Sequence, residues 1–351
     1  MKKTVIIIMI GIIIFSIIGC QRKPKKVLYV FNWTDYIAPE LIRKFEKQND
    51  CRIIYDTYNS NENMLTKMMT SKSAYDIIVP SGDHISILIQ QDLIDKIDKN
   101  KLTNYHNLDP MILKKSLDFD NKNEYSIPYF WGTCGIIFNK KYINEEDMKN
   151  ISWGIIGDDK FSDKRVITML DDAREVIGVA LIHNGFNPND FSFIALEAAR
   201  KTLLEWDKNI AQFDSDSFKN EVQDGTIWLG QAYNGDAMQV LEENDNIGFV
   251  LPKEGSTLWV DYLAIPKNAE NKELAHKFIN FLLEEQIAAI NAEFVQYATP
   301  NKAAFKLLPQ ELQDNTNIYP SDEYLEKCFL LKNVGNDILK VDSVWQEIRH
   351  N

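Results

Sequence analysis

Two apolar runs constrain this chain more than anything else in it: residues 125–139 (YSIPYFWGTCGIIFN) and residues 256–266 (STLWVDYLAIP). The second is bounded by Gly255 and Pro266 and reads as a buried strand. The first is too long for one ordinary strand and is interrupted by Pro128 and Gly132, so it reads as a crossing from one domain to another. The second then reads as the return crossing. A chain that crosses twice makes two noncontiguous lobes around a central cleft, and a two-strand connection permits hinge closure. Domain interfaces are favoured places for small ligands. Within the return run sits Asp261, with no Lys or Arg between Lys253 and Lys267. A carboxylate in such a strand is costly unless hydrogen bonds or a cation compensate it. Its partner must come from elsewhere in the fold or from a ligand; the plainer account is a strand end bonded to backbone or water.

Strand-like segments at 27–31, 52–58 and 75–80 alternate with helical ones opening at Pro39, Ser60 and His84, and the second of these helices carries Met64, Leu65, Met68 and Met69 at core spacing. Such alternation indicates α/β layering around a mostly parallel sheet. Ligands in these sheets bind beyond the carboxyl ends of strands, where Trp33, Asp35, Tyr36, Ser81 and Asp83 fall. After the first crossing, a strand over 164–169 opens onto Asp172 and Glu175, three residues apart on one helix face. A strand over 227–232 opens onto Tyr233, Asn234, Gly235 and Asp236, and a turn near the C-terminus holds Tyr297. The expected division is 27–130 with 262–315 for lobe 1, and 131–261 with 316–351 for lobe 2.

The first nineteen residues read as a cleaved export signal: Lys2 and Lys3, an apolar span over 5–18, then Gly19-Cys20. The end of that span resembles a bacterial lipobox, which implies cleavage before Cys20 and lipid on its sulfur and new amino group, with residues 20–26 as a basic tether. Losing Lys2 and Lys3 takes the net charge from −12 to −14. That field suits cations and is a poor one for nucleic acid. Cys51, Cys134 and Cys328 remain, an odd number at wide spacing that is neither a disulfide framework nor a metal site; buried small hydrophobes are expected. A chain of about 325 residues exceeds what one core usually serves.

The candidate cleft residues are of two kinds. Asp35, Asp83, Asp172, Glu175, Asp236 and Asp261, with Thr34 and Ser81, offer anions and acceptors; Trp33, Tyr36, Tyr233, Trp259 and Tyr297 offer flat apolar faces. Carboxylates pair with ammonium groups, and ring faces attract cations while covering methylene chains. The fitting ligand is a linear, multiply charged amine. Each element also has a blander account. First-turn acids such as Asp172 and Glu175 favour the helix dipole, tryptophans in apolar runs are usually core, tyrosines beside turns can be surface caps, and Asp236 can be turn chemistry. The five histidines, 84, 106, 183, 276 and 350, have no ligand spacing and are expected to be solvated, with no metal and no cofactor.

These residues carry a resemblance. The chain from Val27 onward is similar to the spermidine/putrescine-binding periplasmic proteins of bacterial ABC transporters, in NWTDYIAPE (32–40), YNSNENM (58–64), YDIIVPS (75–81), KLTNYHNLDP (101–110), YSIPYFWGT (125–133), DDAREV (171–176), WVDYLAIP (259–266), FINFLL (278–283) and YATPNKAA (297–304). The resemblance implies a two-lobed type II periplasmic binding fold and a non-catalytic, monomeric, lipid-anchored extracytoplasmic receptor that hands polyamine to a membrane permease. It implies that Trp33, Tyr36, Trp259 and Tyr297 wall the aliphatic chain and that Thr34 and Ser81 bond a terminal amine. Asp172 and Glu175 would hold one end of spermidine and Asp261 an inner or distal amine, while Asp35 and Asp236 resemble acids of putrescine-preferring relatives. Tyr233 stands where spermidine binders carry Trp, Asp83 where they carry Tyr, and Leu331 near an expected Gln. Two other readings compete: a receptor for another organic cation or an amino acid, with Arg174 as the one candidate cation, and an exported carbohydrate-active enzyme with Asp172 and Glu175 as acid and base.

Overall fold

The computed structural model describes residues 26–350 apart from 71–74 and 163. The export segment, Cys20 and the tether as far as residue 25 lie outside the described residues. The chain opens with β1 (Lys26–Trp33), α1 (Pro39–Asn49), β2 (Cys51–Tyr58), α2 (Asn61–Thr70), β3 (Ile77–Ile78) and α3 (Gly82–Gln90). β1 runs parallel to β2 on one side and to β3 on the other. α1 starts at Pro39, where the missing amide costs nothing; it turns Leu41 and Phe45 into the core and stops at Asp50, in the left-handed region at φ 46°. Of the methionine stripe on α2 only Met64 is buried, and Met69 is 63% exposed, because the helix lies on the surface and packs through a narrow edge. β3 is shorter than the apolar run containing it. Pro80 has no amide to give, and the Asp76 carboxylate instead accepts from the amides of Tyr29 and Asn271.

Next come α4 (Pro110–Ser116), β4 (Ser126–Asn139), β5 (Ile167–Met169), α5 (Ala173–His183), α6 (Phe193–Asp207), β6 (Ile210–Phe213), α7 (Phe218–Asp224), β7 (Leu229–Tyr233), α8 (Asn234–Glu243) and β8 (Ile247–Val250). The return strand β9 (Thr257–Ala264) leads to α9 (Lys272–Leu282), α10 (Glu285–Val295), β10 (Phe329–Leu330) and the last helix, α11 (Ile338–Arg349). The strands form one sheet in the order β2-β1-β3-β9-β4-β7-β5-β6, with β10 on β9 and β8 on β4.

The expected break in the first crossing does not occur: β4 is a single strand of 14 residues, buried throughout. Pro128 is absorbed by a register shift against β9 between Pro128 and Phe130, a local bulge of the kind that tolerates a residue without an amide. β4 changes partners midway. Its residues from Ser126 to Thr133 pair antiparallel with β9, and from Cys134 onward it pairs with β7 and β8. Two apolar cores flank this antiparallel pair. One gathers Leu28, Phe45, Ile77, Tyr262 and Phe278. The other gathers Phe138, Trp153, Ile177, Leu203 and Trp345.

Candidate binding site

β9 carries Trp259 and Asp261 two residues apart, hence on one face of the strand. The end of the β3 segment is laid against the same place: Ser81 bridges Asp261, and the Tyr262 amide donates to the Pro80 carbonyl at 2.9 Å. The loop after β1 delivers Tyr36, whose hydroxyl donates to Asp261 Oδ2 at 2.7 Å from 225 residues away in sequence. The carboxylate of Asp261 therefore has a buried phenol as a partner. Burial pushes the Asp261 carboxyl up to about 7; the Tyr36 bond opposes that rise, and the negative charge of Asp83 adds to it. The charge that bears on Asp261 is another anion.

Around it the rings form a continuous band. Tyr233 meets Trp259 edge-on at 6.0 Å, Trp259 meets Tyr297 at 4.9 Å, and Tyr297 meets Tyr36 at 5.7 Å. Two glycines make room for it. A Cβ on Gly132 would stand 2.5 Å from the Trp259 ring, and one on Gly235 2.4 Å from the Tyr297 ring. Burial, followed by the Asp236 charge, raises the Tyr297 hydroxyl. Trp33 stands beyond this band; its indole N–H donates to the Val79 carbonyl at 2.9 Å, and its ring lies 4.6 Å from that of Tyr58.

At the Tyr233 end lie Asp172 and Glu175. The dipole account holds for Asp172 in part: it caps α5, and its Oδ1 accepts from the amides of Arg174 and Glu175 at 2.8 and 3.1 Å. Glu175 is only 3% exposed. Its Oε2 accepts from the Thr257 hydroxyl at 2.5 Å and from the Cys134 thiol at 3.1 Å. Burial and then the nearby Asp172 charge push Glu175 up to about 7, and burial likewise raises Asp172. Burial, followed by these two carboxylates, raises Tyr233. Arg174 is held by other partners, with its guanidinium on the carbonyls of Pro188 and Lys332 and over the Phe191 ring, and its charge acts on Asp83 and Glu175 without an ion pair to either. An amino-acid site built on that arginine has no geometry to support it.

The remaining candidates differ in how they are held. Ser81 donates to Asp83 Oδ1 at 2.6 Å and accepts from Asn61. Asp83 also faces the His84 ring at 3.1 Å. Against the rise that burial alone would cause, that ring and the Ser81 bond hold Asp83 at about 2, and Asp83 in turn raises His84 against the effect of its burial. Asp236 is paired with Lys219 at 2.7 Å. Thr34 and Asp35 are exposed, with Asp35 in the left-handed region at φ 52°. Leu331 follows the short β10 and lies near Gly178 on α5. The histidines correct the expectation of solvated rings, since His84 and His276 are 8% and 6% exposed. The His276 ring instead accepts from the Asp98 amide. Cys51 and Cys134 are buried and Cys328 half-buried, all as free thiols. Among the described residues no cluster suited to a metal ion is present. His84, Lys219, Thr257 and Cys134 were not singled out from the sequence. Only His84, next to Asp83, had a local signal.

A group of acids along a band of rings, set at a two-strand crossing between two cores, matches the layout of a two-lobed solute-binding receptor. The chain belongs to the family of bacterial extracellular solute-binding proteins, whose pattern residues 40–320 match. The spermidine/putrescine-binding periplasmic protein of Salmonella typhimurium is 37% identical over 340 residues, 97% of this chain and 96% of that protein. Two solved structures superpose over nearly their whole length. The spermidine/putrescine ABC transporter substrate-binding protein PotD of Streptococcus pneumoniae is 33% identical, with a TM-score of 0.82 over 93% of this chain and 99% of that one. The TpPotD lipoprotein of Treponema pallidum is 32% identical, with a TM-score of 0.82 over 93% and 100%. These are solute-binding transport proteins, not enzymes, and the chain is extracytoplasmic like them.

Proposed function

We propose that this protein captures a polyamine, spermidine or putrescine, between its lobes and presents the closed form to an ABC permease. The observation that carries the reading is Asp261: a buried carboxylate on the crossing strand, bonded to the Tyr36 hydroxyl, set in a band of four rings and, among the described residues, faced by no cationic side chain. An ammonium group would complete its charge, and the rings of Tyr36, Trp259, Tyr297 and Tyr233 would cover the methylenes between amines. Asp172 and Glu175 take one end of the ligand, Asp261 the next ammonium, and Thr34, Asp35, Ser81, Asp83 and Trp33 border the opening. The names of the relatives cover both amines, in keeping with this reading. The lobes divide as 27–130 with 262–315 and 131–261 with 316–351. Lipid on Cys20 anchors the monomer to a membrane outside the cytoplasm, in the periplasm or at the outer face of the cytoplasmic membrane, a reading the lipoprotein relative supports.

Titration calorimetry of the mature chain with putrescine, spermidine and spermine tests the assignment. Replacing Asp261 with Ala is expected to weaken binding at least about tenfold, because a charge-assisted hydrogen bond is worth about 1.5–3 kcal/mol. Equal affinity in wild type and variant overturns the reading. For the anchor, Cys20→Ala is expected to release the protein from the detergent phase; retention there refutes lipidation at that residue.

A further inference from the structure

Two of the cleft acids have a basic partner of their own, His84 for Asp83 and Lys219 for Asp236, and the second comes from an element the ligand reading does not use. Lys219 stands in the first turn of α7 and reaches Asp236 Oδ1 at 2.7 Å; the two side chains are 28% and 19% exposed, so the pair is largely enclosed. Asp236 follows Gly235, on which the Tyr297 ring rests, and its charge acts on the Tyr297 hydroxyl. The Lys219 ammonium therefore stands near Tyr297, in the half of the ring band away from Tyr233. It also feels the charge of Asp35, which belongs to the loop after β1. Asp172 and Glu175 act on Tyr233 at the opposite end, and Asp261 is bonded to Tyr36. A lysine ammonium and a polyamine ammonium are the same chemical group. Here one of them is tethered to the protein.

We propose that Lys219 sets how many ammonium groups the cleft accepts. It fills the Asp236 and Asp35 end from within, leaving Asp172 with Glu175 and Asp261 as the receptors for a ligand. A third ammonium arriving at that end meets a like charge already seated on the carboxylate, so a diamine is favoured over a triamine. This rests on the polyamine reading above, and its test separates the two.

The experiment is calorimetry with putrescine, which carries two ammonium groups, and spermidine, which carries three, on wild type, Lys219→Met, Lys219→Arg, Asp236→Asn and Lys219→Met/Asp236→Asn. Methionine keeps most of the apolar stem and removes the charge. In Lys219→Met the affinity for spermidine relative to putrescine is expected to rise about tenfold or more, a step of about 1.4 kcal/mol. Lys219→Arg should keep the wild-type ratio, and the double variant should return towards it, since the freed carboxylate is then gone. Asp236→Asn leaves the lysine uncompensated and should weaken spermidine more than putrescine, a result that stands even if Lys219→Met fails to fold. An unchanged ratio in Lys219→Met, or the same rise in the double variant, overturns the proposal. If wild type binds no polyamine at all, it is the polyamine reading that fails.

Discussion

On the proposed function, the Asp261 carboxyl makes ligand capture pH-dependent, in a direction set by its burial. Its acidity is pushed from the usual value near 4 up to about 7, by burial first. A bound ammonium stabilises only the ionised form, so the proton must leave before the cation is held. At pH 6 an acid titrating at 7 is about 90% protonated, and freeing it costs about 1.4 kcal/mol, whereas at pH 8 the cost is below about 0.1 kcal/mol. Polyamine affinity is therefore expected to rise about tenfold from pH 6 to pH 8 through this group alone, with Glu175 adding to the rise. Without ligand the sign for stability is the reverse. The folded state holds the Asp261 proton more tightly than the unfolded chain, so the contribution is most favourable below about pH 4, falls as pH rises through 7, and is fully lost above it. Calorimetry at pH 6, 7 and 8, repeated in two buffers of different ionisation enthalpy, reads both affinity and protons released. Asp261→Asn should flatten part of the slope and release fewer protons. A wild-type affinity that is flat across this range, with no proton release at pH 7, refutes the reasoning.

Tyr36→Phe removes the hydrogen bond that favours ionised Asp261. It should move the affinity curve to higher pH and weaken binding at pH 7 by about 1.5–3 kcal/mol; a curve superposable on wild type would show the bond to be irrelevant. Gly235→Ala puts a methyl 2.4 Å from the Tyr297 ring. Overpacking of that kind costs about 1–3 kcal/mol, so both the melting temperature and polyamine affinity should fall, and a variant with neither change would show that the ring position is immaterial. Asp172 separates two roles, because Asn caps a helix about as well as Asp. Asp172→Asn should keep wild-type stability and lose affinity, while Asp172→Ala should lose affinity together with about 1 kcal/mol of stability. Equal melting temperatures for the two variants would refute the cap, and unaltered binding in both would refute the charge.

What the sequence showed of this architecture was set by the reach of local rules. Pro39 at a helix start, the β-α alternation of the first ninety residues and the two apolar runs of the crossing all express preferences that act within one element. Pro128 shows where such a rule stops: read locally it breaks a strand, but the ladder with β9 shifts register and continues past it. The site was legible as a collection of residue types and illegible as a set of partners, because its decisive contacts join distant elements. The hydroxyls that meet Asp261 and Glu175 come from Tyr36 and Thr257, 225 and 82 positions away. In the sequence all six acids look alike. In the fold they divide, with Asp83 set beside His84 and Asp236 beside Lys219, while Asp261 and Glu175 are met by hydroxyls and a thiol. An acid that already has a cation gains little from a ligand ammonium, and one whose charge is held off by burial gains most. On the proposed function the pairing decides which carboxylates capture the amine, and only the packed chain sets the pairing.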